Sequence, residues 1–153
     1  MGEKVLVLRV NCFQNYDFVK EHNRIATVNG KVWFLKLGKQ IPEKRLGELL
    51  NERCKLVLRT DKKHGGDFFT TQFYDFYTGS PKADMVYPEY YSDMISVLSY
   101  VKDVSNKGTW LLIGEITKIE AEHVERLVLD KTGEKINQLL DKCSSSFVYA
   151  HFE

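Results

Sequence analysis

Two groups of residues in this chain have the types and spacing to do chemistry, and the chemistry they suggest is binding. The first is aromatic. Phe68, Phe69, Phe73, Tyr74, Phe76, Tyr77, Tyr87, Tyr90 and Tyr91 fall within 24 residues and make up nine of the nineteen Phe, Tyr and Trp residues. In a strand, side chains alternate between faces. That puts Phe69, Phe73 and Tyr77 on one side and Phe68, Tyr74 and Phe76 on the other. One side must be core. The other is either packed beneath a helix or free to stack against a nucleobase, and the sequence leaves both open. Trp33 and Trp110 sit in predicted strands, and a buried indole N–H needs an acceptor, so tryptophan often lines pockets. With Phe73, Tyr77 and Tyr87 they are the candidate ligand-binding residues, an aromatic cage for a flat or cationic ligand such as a modified base.

The second group is basic. Residues 1–64 carry 14 Lys/Arg against 7 Asp/Glu, whereas the remainder carries 8 against 14. The formal net charge of +1 conceals this split. Lys31, Lys36, Lys39, Lys44 and Arg45 form one cluster, and Arg53, Lys55, Arg59, Lys62 and Lys63 with His64 form another. Cations at loop tips and strand edges suffice to hold phosphates. Lys36, Lys39, Arg59, Lys62 and Lys63 are the candidate phosphate-binding set. Charge asymmetry fits a DNA or RNA partner. It equally fits a homodimer whose complementary halves meet, since opposite patches steer association.

Catalytic material is thin, and no catalytic residue is assigned. Ser144-Ser145-Ser146 is not a nucleophile elbow, and Gly65-Gly66 is a turn rather than a phosphate loop. Asp67, Asp75 and Asp84 lack the acidic–basic strand pattern of a nuclease. Cys12 or Cys143 would serve as a nucleophile only with a histidine beside it. Cys12, Cys54 and Cys143 are scattered and odd in number, which points to a reducing, cytoplasmic setting without a disulfide framework. His22, His64, His123 and His151 show no metal-ligand spacing, so neither a metal nor a cofactor is expected.

The elements that must position these groups follow from periodicity. The 153 residues suit one domain spanning 1–153. No apolar run reaches the ~20 residues of a membrane span, and the opening MGEKVLVLRVNCF reads as a strand rather than a signal peptide. Residues 5–10, 55–60, 68–77, 110–119 and 147–152 read as strands, with a further one at 124–129. Residues 24–28 and 31–37 flank Asn29-Gly30, which predicts a hairpin with a type I′ turn. Pro42 and Pro88 open helices. Tyr91, Met94, Ile95, Leu98 and Val101 recur at helical spacing, which makes Ile95 and Leu98 expected core residues, and Ile136, Leu139, Leu140 and Cys143 mark a third helix. The result is an α+β domain, a small curved mixed sheet or partial β-barrel with about three flanking helices.

The succession GKVWFLKLGK, helix, KLVLRT with its hairpin, VYPEYY, TWLLIGEITKIE and SSSFVYAHF resembles a PUA-like domain of the EVE/YTH kind. That resemblance implies a curved barrel flanked by helices that binds RNA or modified DNA bases, often in an aromatic pocket. Three functions compete: a non-catalytic nucleic-acid or modified-base binding module, a small defence or counter-defence interaction protein that dimerises, and a hydrolase or nuclease with an unrecognised site.

Overall fold

The computed structural model describes residues 3–10, 13–37, 39–61, 66–79, 81–97, 109–141 and 146–153. Their elements run β1 (Lys4–Val10), α1 (Phe18–Asn29), β2 (Val32–Lys36), α2 (Glu43–Asn51), β3 (Lys55–Thr60), β4 (Phe68–Thr78) and α3 (Tyr90–Val97). After these come β5 (Thr109–Ile113), β6 (Thr117–Lys118), α4 (Ala121–Val124), β7 (Leu127–Leu129), α5 (Ile136–Leu139) and β8 (Phe147–Phe152). The strands form one mixed sheet in the order β2-β5-β4-β3-β1-β8-β7, with β6 paired to β4. Pairing is parallel between β1 and β3 and antiparallel elsewhere. The sheet curls without closing, so the expected curved mixed sheet is the observed one.

The predicted hairpin around Asn29-Gly30 is not there. Residues 18–29 are helix α1, and Gly30 ends it. The Asp17 carboxylate caps the start by accepting the Lys20 N–H at 3.1 Å. Phe18, His22 and Ala26, spaced four apart, form the buried stripe, while Val28 points outward at 82% exposure. Gly30 adopts φ +82° and its N–H bonds the Ala26 carbonyl at 2.7 Å. A left-handed glycine serves a helix C-cap as well as a primed turn. The turn signal located the positive φ but not the element it ends.

Two other boundaries shift. The expected strand 110–119 divides into β5 and β6 around Gly114-Glu115-Ile116. The Asn23 side chain from α1 holds that break, accepting from the Ile116 N–H at 2.7 Å and donating to its carbonyl at 2.9 Å. In the 124–129 segment, Val124 closes α4 and only Leu127–Leu129 is strand. Leu98 and Val101, expected to extend the stripe of α3, lie outside the described residues, as does the side chain of Ile95. Tyr91 and Met94 of that stripe are buried.

Three apolar layers hold the sheet. The inner one packs Leu6, Leu8, Leu56, Leu58, Phe73, Leu111 and Ile113 against α1 and α2. Alternate residues Val5, Val7 and Val57 face the opposite side, where Phe68, Ile119, Val124, Leu127 and Ile136 cover them. A third layer, mostly aromatic, lies on the outer face of β2, β5 and β4. A bulge in β4 decides who reaches it. Phe73 pairs with Ile113 but Asp75 with Leu112, so one residue is extra. Phe76 therefore joins Phe73 in the inner layer and Tyr77 turns to the outer one, which reverses the face assignment that simple alternation predicts.

Candidate binding face

The outer aromatic layer is built by register. Leu35, Trp110 and Tyr77 form one cross-strand row, and Trp33, Leu112 and Asp75 the next. The segment before α3 then crosses the free edge of β2. The Trp33 N–H donates to the Val86 carbonyl at 2.9 Å, and the Leu35 N–H donates to the Tyr91 hydroxyl at 3.2 Å. An exposed strand edge is a template for unwanted pairing, and this segment covers it while bringing Tyr87, Tyr90 and Tyr91 onto the sheet.

Trp110 is the floor of the layer. It is 0% exposed, and its indole Nε1 donates to the Gly79 carbonyl at 3.2 Å. Its ring lies 5.2 Å from Tyr87 and 6.0 Å from Tyr91. It therefore offers no free surface for a ligand to stack on. Trp33, Tyr77 and Tyr87 are half-buried above this floor. The Lys82 ammonium stands 4.4 Å from the Tyr77 ring centre, a cation–π contact worth about 0.5–1 kcal/mol at such a site. Phe73 belongs to the inner layer and is not brought to this face. Four of the five candidate ligand-binding residues thus gather in one layer, three of them partly open.

Three contributors were not legible as such. Phe13 and Tyr16, outside the aromatic run, extend the layer: Tyr16 stacks on Tyr90 with centroids 4.6 Å apart and planes 13° apart, and Phe13 is nearly parallel to both. His22 is buried under Tyr91. Its Nδ1 contacts the Phe18 carbonyl at 2.8 Å and its Nε2 the Tyr91 hydroxyl at 2.6 Å. A carbonyl can only accept, so the proton sits on Nδ1 and Nε2 accepts from Tyr91. The Tyr91 oxygen in turn accepts the Leu35 N–H. Burial lowers the His22 pKa to about 4, against the opposing effect of the bond to Phe18, and burial pushes the Tyr91 phenol well up. The chain helix–imidazole–phenol–strand is fully satisfied and neutral, which makes it a structural clamp. Its sequence signal was the spacing of His22 between Phe18 and Ala26.

The candidate phosphate-binding residues are differently placed. Lys39 is exposed, but Lys36 is 3% exposed and Arg59 6%. The Lys36 ammonium donates to the Lys39 carbonyl and to Ser146 Oγ at 3.0 Å, and lies 5.1 Å from the Phe147 ring. Burial first, and the Lys39 charge second, lower its pKa to about 8. Arg59 pairs with Asp141 at 3.0 Å. Lys62 and Lys63 lie outside the described residues, as do Cys12 and Cys143. Arg45, from the first basic cluster, is taken up by Glu48 at 3.3 Å and the Tyr149 ring at 4.2 Å. Part of the basic half is therefore absorbed inside the fold. No helix among the described residues is long and apolar enough to cross a membrane. No family model matches this chain, and neither a curated protein nor a solved structure matches it.

Proposed function

We propose that this protein is a non-catalytic binding module that holds single-stranded DNA or RNA, plain or modified, by stacking bases on the outer face of β2, β5 and β4. The observation that carries this reading is the arrangement of Trp33, Tyr77 and Tyr87. Three half-open rings sit on a rigid floor of Trp110 and Tyr91, with Lys82 at Tyr77. Base–aromatic stacking contributes about 1–3 kcal/mol per ring and tolerates any base. Lys82 supplies a cation for the phosphates. An aromatic pocket on a curled sheet is also what a PUA-like kinship implies.

A second reading has one observation in its favour. Val86, 48% exposed, adjoins Trp33 through their backbone bond, so the face could join two copies of the chain. Tryptophan fluorescence separates the two. Trp33 is the accessible indole and Trp110 the buried one. Titration with a homopolymeric oligonucleotide at low salt should quench Trp33, and Trp33→Ala should weaken binding by about 1–3 kcal/mol. Quenching that follows protein concentration alone, with a dimer in light scattering, would replace the first reading by the second. Micromolar protein that binds no oligonucleotide at low salt would end the nucleic-acid reading.

A further inference from the structure

Resting on the stacking role given to Trp33 and Tyr77 above, we propose that Asp75 selects among the bases that the outer face stacks. It favours those with an exocyclic amine: cytosine, adenine and guanine over uracil and thymine. Stacking alone does not make this choice, because every base has a π-face. Selection needs a polar group at the edge of the stacked ring. In the two cross-strand rows that carry the rings, Asp75 is the one acidic side chain.

Register and a bulge put it there. Asp75 pairs with Leu112, which pairs with Trp33, and register partners project to the same face at about 4.8 Å per strand. The Asp75 backbone therefore lies about 10 Å from that of Trp33, with the half-buried Leu112 between them. Tyr77 is two residues along β4 on the same face, about 7 Å away. The extra residue between Phe73 and Asp75 is what turns this pair outward. Without it, Asp75 and Tyr77 would follow Phe73 by even steps onto the inner, apolar layer. Bulges re-aim side chains beside functional sites.

The carboxylate is held at one oxygen and open at the other. Its Oδ1 accepts the Phe76 N–H at 2.8 Å. Among the described residues no Lys, Arg or His pairs with it, and the side chain is exposed. Oδ2 is thereby a positioned acceptor beside the rings. A carboxylate accepts from the amine of cytosine, and a hydrogen bond to a charged group is roughly twice as strong as a neutral one. Uracil and thymine carry carbonyl oxygens on both sides of their one ring N–H, and a carbonyl facing a carboxylate is repelled. A stacked base shields the contact from water, which strengthens the matched bond and raises the cost of the mismatched one.

Oligo-dC and oligo-dU of equal length differ at the edge that matters, with an amine in one where the other has a carbonyl. Titrated at low salt into the full chain and read by Trp33 fluorescence, oligo-dC should bind at least fivefold more tightly. Asp75→Asn offers either an acceptor or a donor, and should bring the two affinities within twofold of each other. Asp75→Ala should do the same, losing the bond to the amine and the repulsion of the carbonyl together. Removing a negative charge near phosphates raises both affinities alike, so the dC-to-dU ratio is the readout of selection. Equal affinities in the parent protein, with Trp33 quenched by both oligonucleotides, overturn the role of Asp75 and leave the stacking reading in place. A ratio that survives in either variant does the same. Absence of quenching by either oligonucleotide overturns both.

Discussion

The inner layer of the sheet and the aromatic layer on the outer face of β2, β5 and β4 are packed by different means. The inner one is mainly aliphatic: Leu6, Leu8, Leu46, Leu56, Leu58, Leu111 and Ile113 are all essentially inaccessible, with no polar atom in their side chains. The outer one is aromatic and polar-tipped. Trp110 reaches Gly79, Tyr91 reaches His22 and Leu35, and Tyr16 points at Asp93 from 3.5 Å. The aliphatic layer is held by area, a non-directional term of roughly 25 cal/mol per Å². The aromatic layer adds directional bonds, each of which fixes a side chain in one place. Rigidity of that kind suits a surface that must present rings without rearranging.

Substitutions can break this contrast at different depths. The largest loss should come from truncating the aromatic floor. Trp110→Ala should cost about 3–5 kcal/mol, against about 2–5 kcal/mol for Leu58→Ala in the inner layer, both measured by urea unfolding. A Trp110→Ala loss below 1 kcal/mol would mean that the outer layer is not core. The next effect is one of pH. The His22 pKa is about 4 in the folded chain and 6.5 when unfolded. The unfolded state therefore takes up its proton first as pH falls. The stabilisation is complete above 6.5, declines between 6.5 and 4, and is lost below that. The full span corresponds to roughly 3 kcal/mol. His22→Gln should flatten this part of the pH–stability curve.

A subtler probe leaves the ring and removes its tip. Tyr91→Phe orphans the His22 Nε2 and the Leu35 N–H, and should cost about 1–3 kcal/mol. It should also raise the His22 pKa if the cavity admits water, visible in the imidazole NMR titration. Unchanged stability would show that packing alone holds the outer layer. The smallest effect belongs to the cap of α1. Nothing lies within 4 Å of a Cβ built on Gly30, so the cost of Gly30→Ala is conformational, from φ +82°. It should be about 1–2 kcal/mol, with thermal unfolding as the readout.

Much of the architecture was legible because it depends on local pattern. Alternating Leu and Val named β1 and β3, and the run from Lys55 to Thr60 matched its strand at both ends. Pro42 marked the start of α2. The α1 error shows the limit: residues 24–28 include Ile25, Thr27 and Val28, β-branched residues that favour strands on propensity, yet burial of Phe18, His22 and Ala26 against the sheet outweighed it. The β4 bulge shows another. One extra residue, visible only against β5, exchanged the faces of Phe76 and Tyr77. The candidate site was half legible. Aromatic density pointed to Tyr77 and Tyr87, and the need of a strand tryptophan for an indole partner to Trp33 and Trp110, but which ring is floor and which is surface is not a property of the ring.

By itself, the amino-acid sequence determined the class of object: an α+β chain with most of its strands, an aromatic run and a basic amino-terminal half. These are properties of composition and short-range period, which a strand or helix expresses wherever it is placed. The tertiary structure alone decided the parallel pairing of β1 with β3 and the burial of Lys36 and Arg59. It alone brought His22 under Tyr91, 69 residues away, and paired Arg59 with Asp141, 82 residues away. Each depends on contacts between residues far apart in the chain, and such contacts leave no mark on the local pattern because many partners would satisfy it equally.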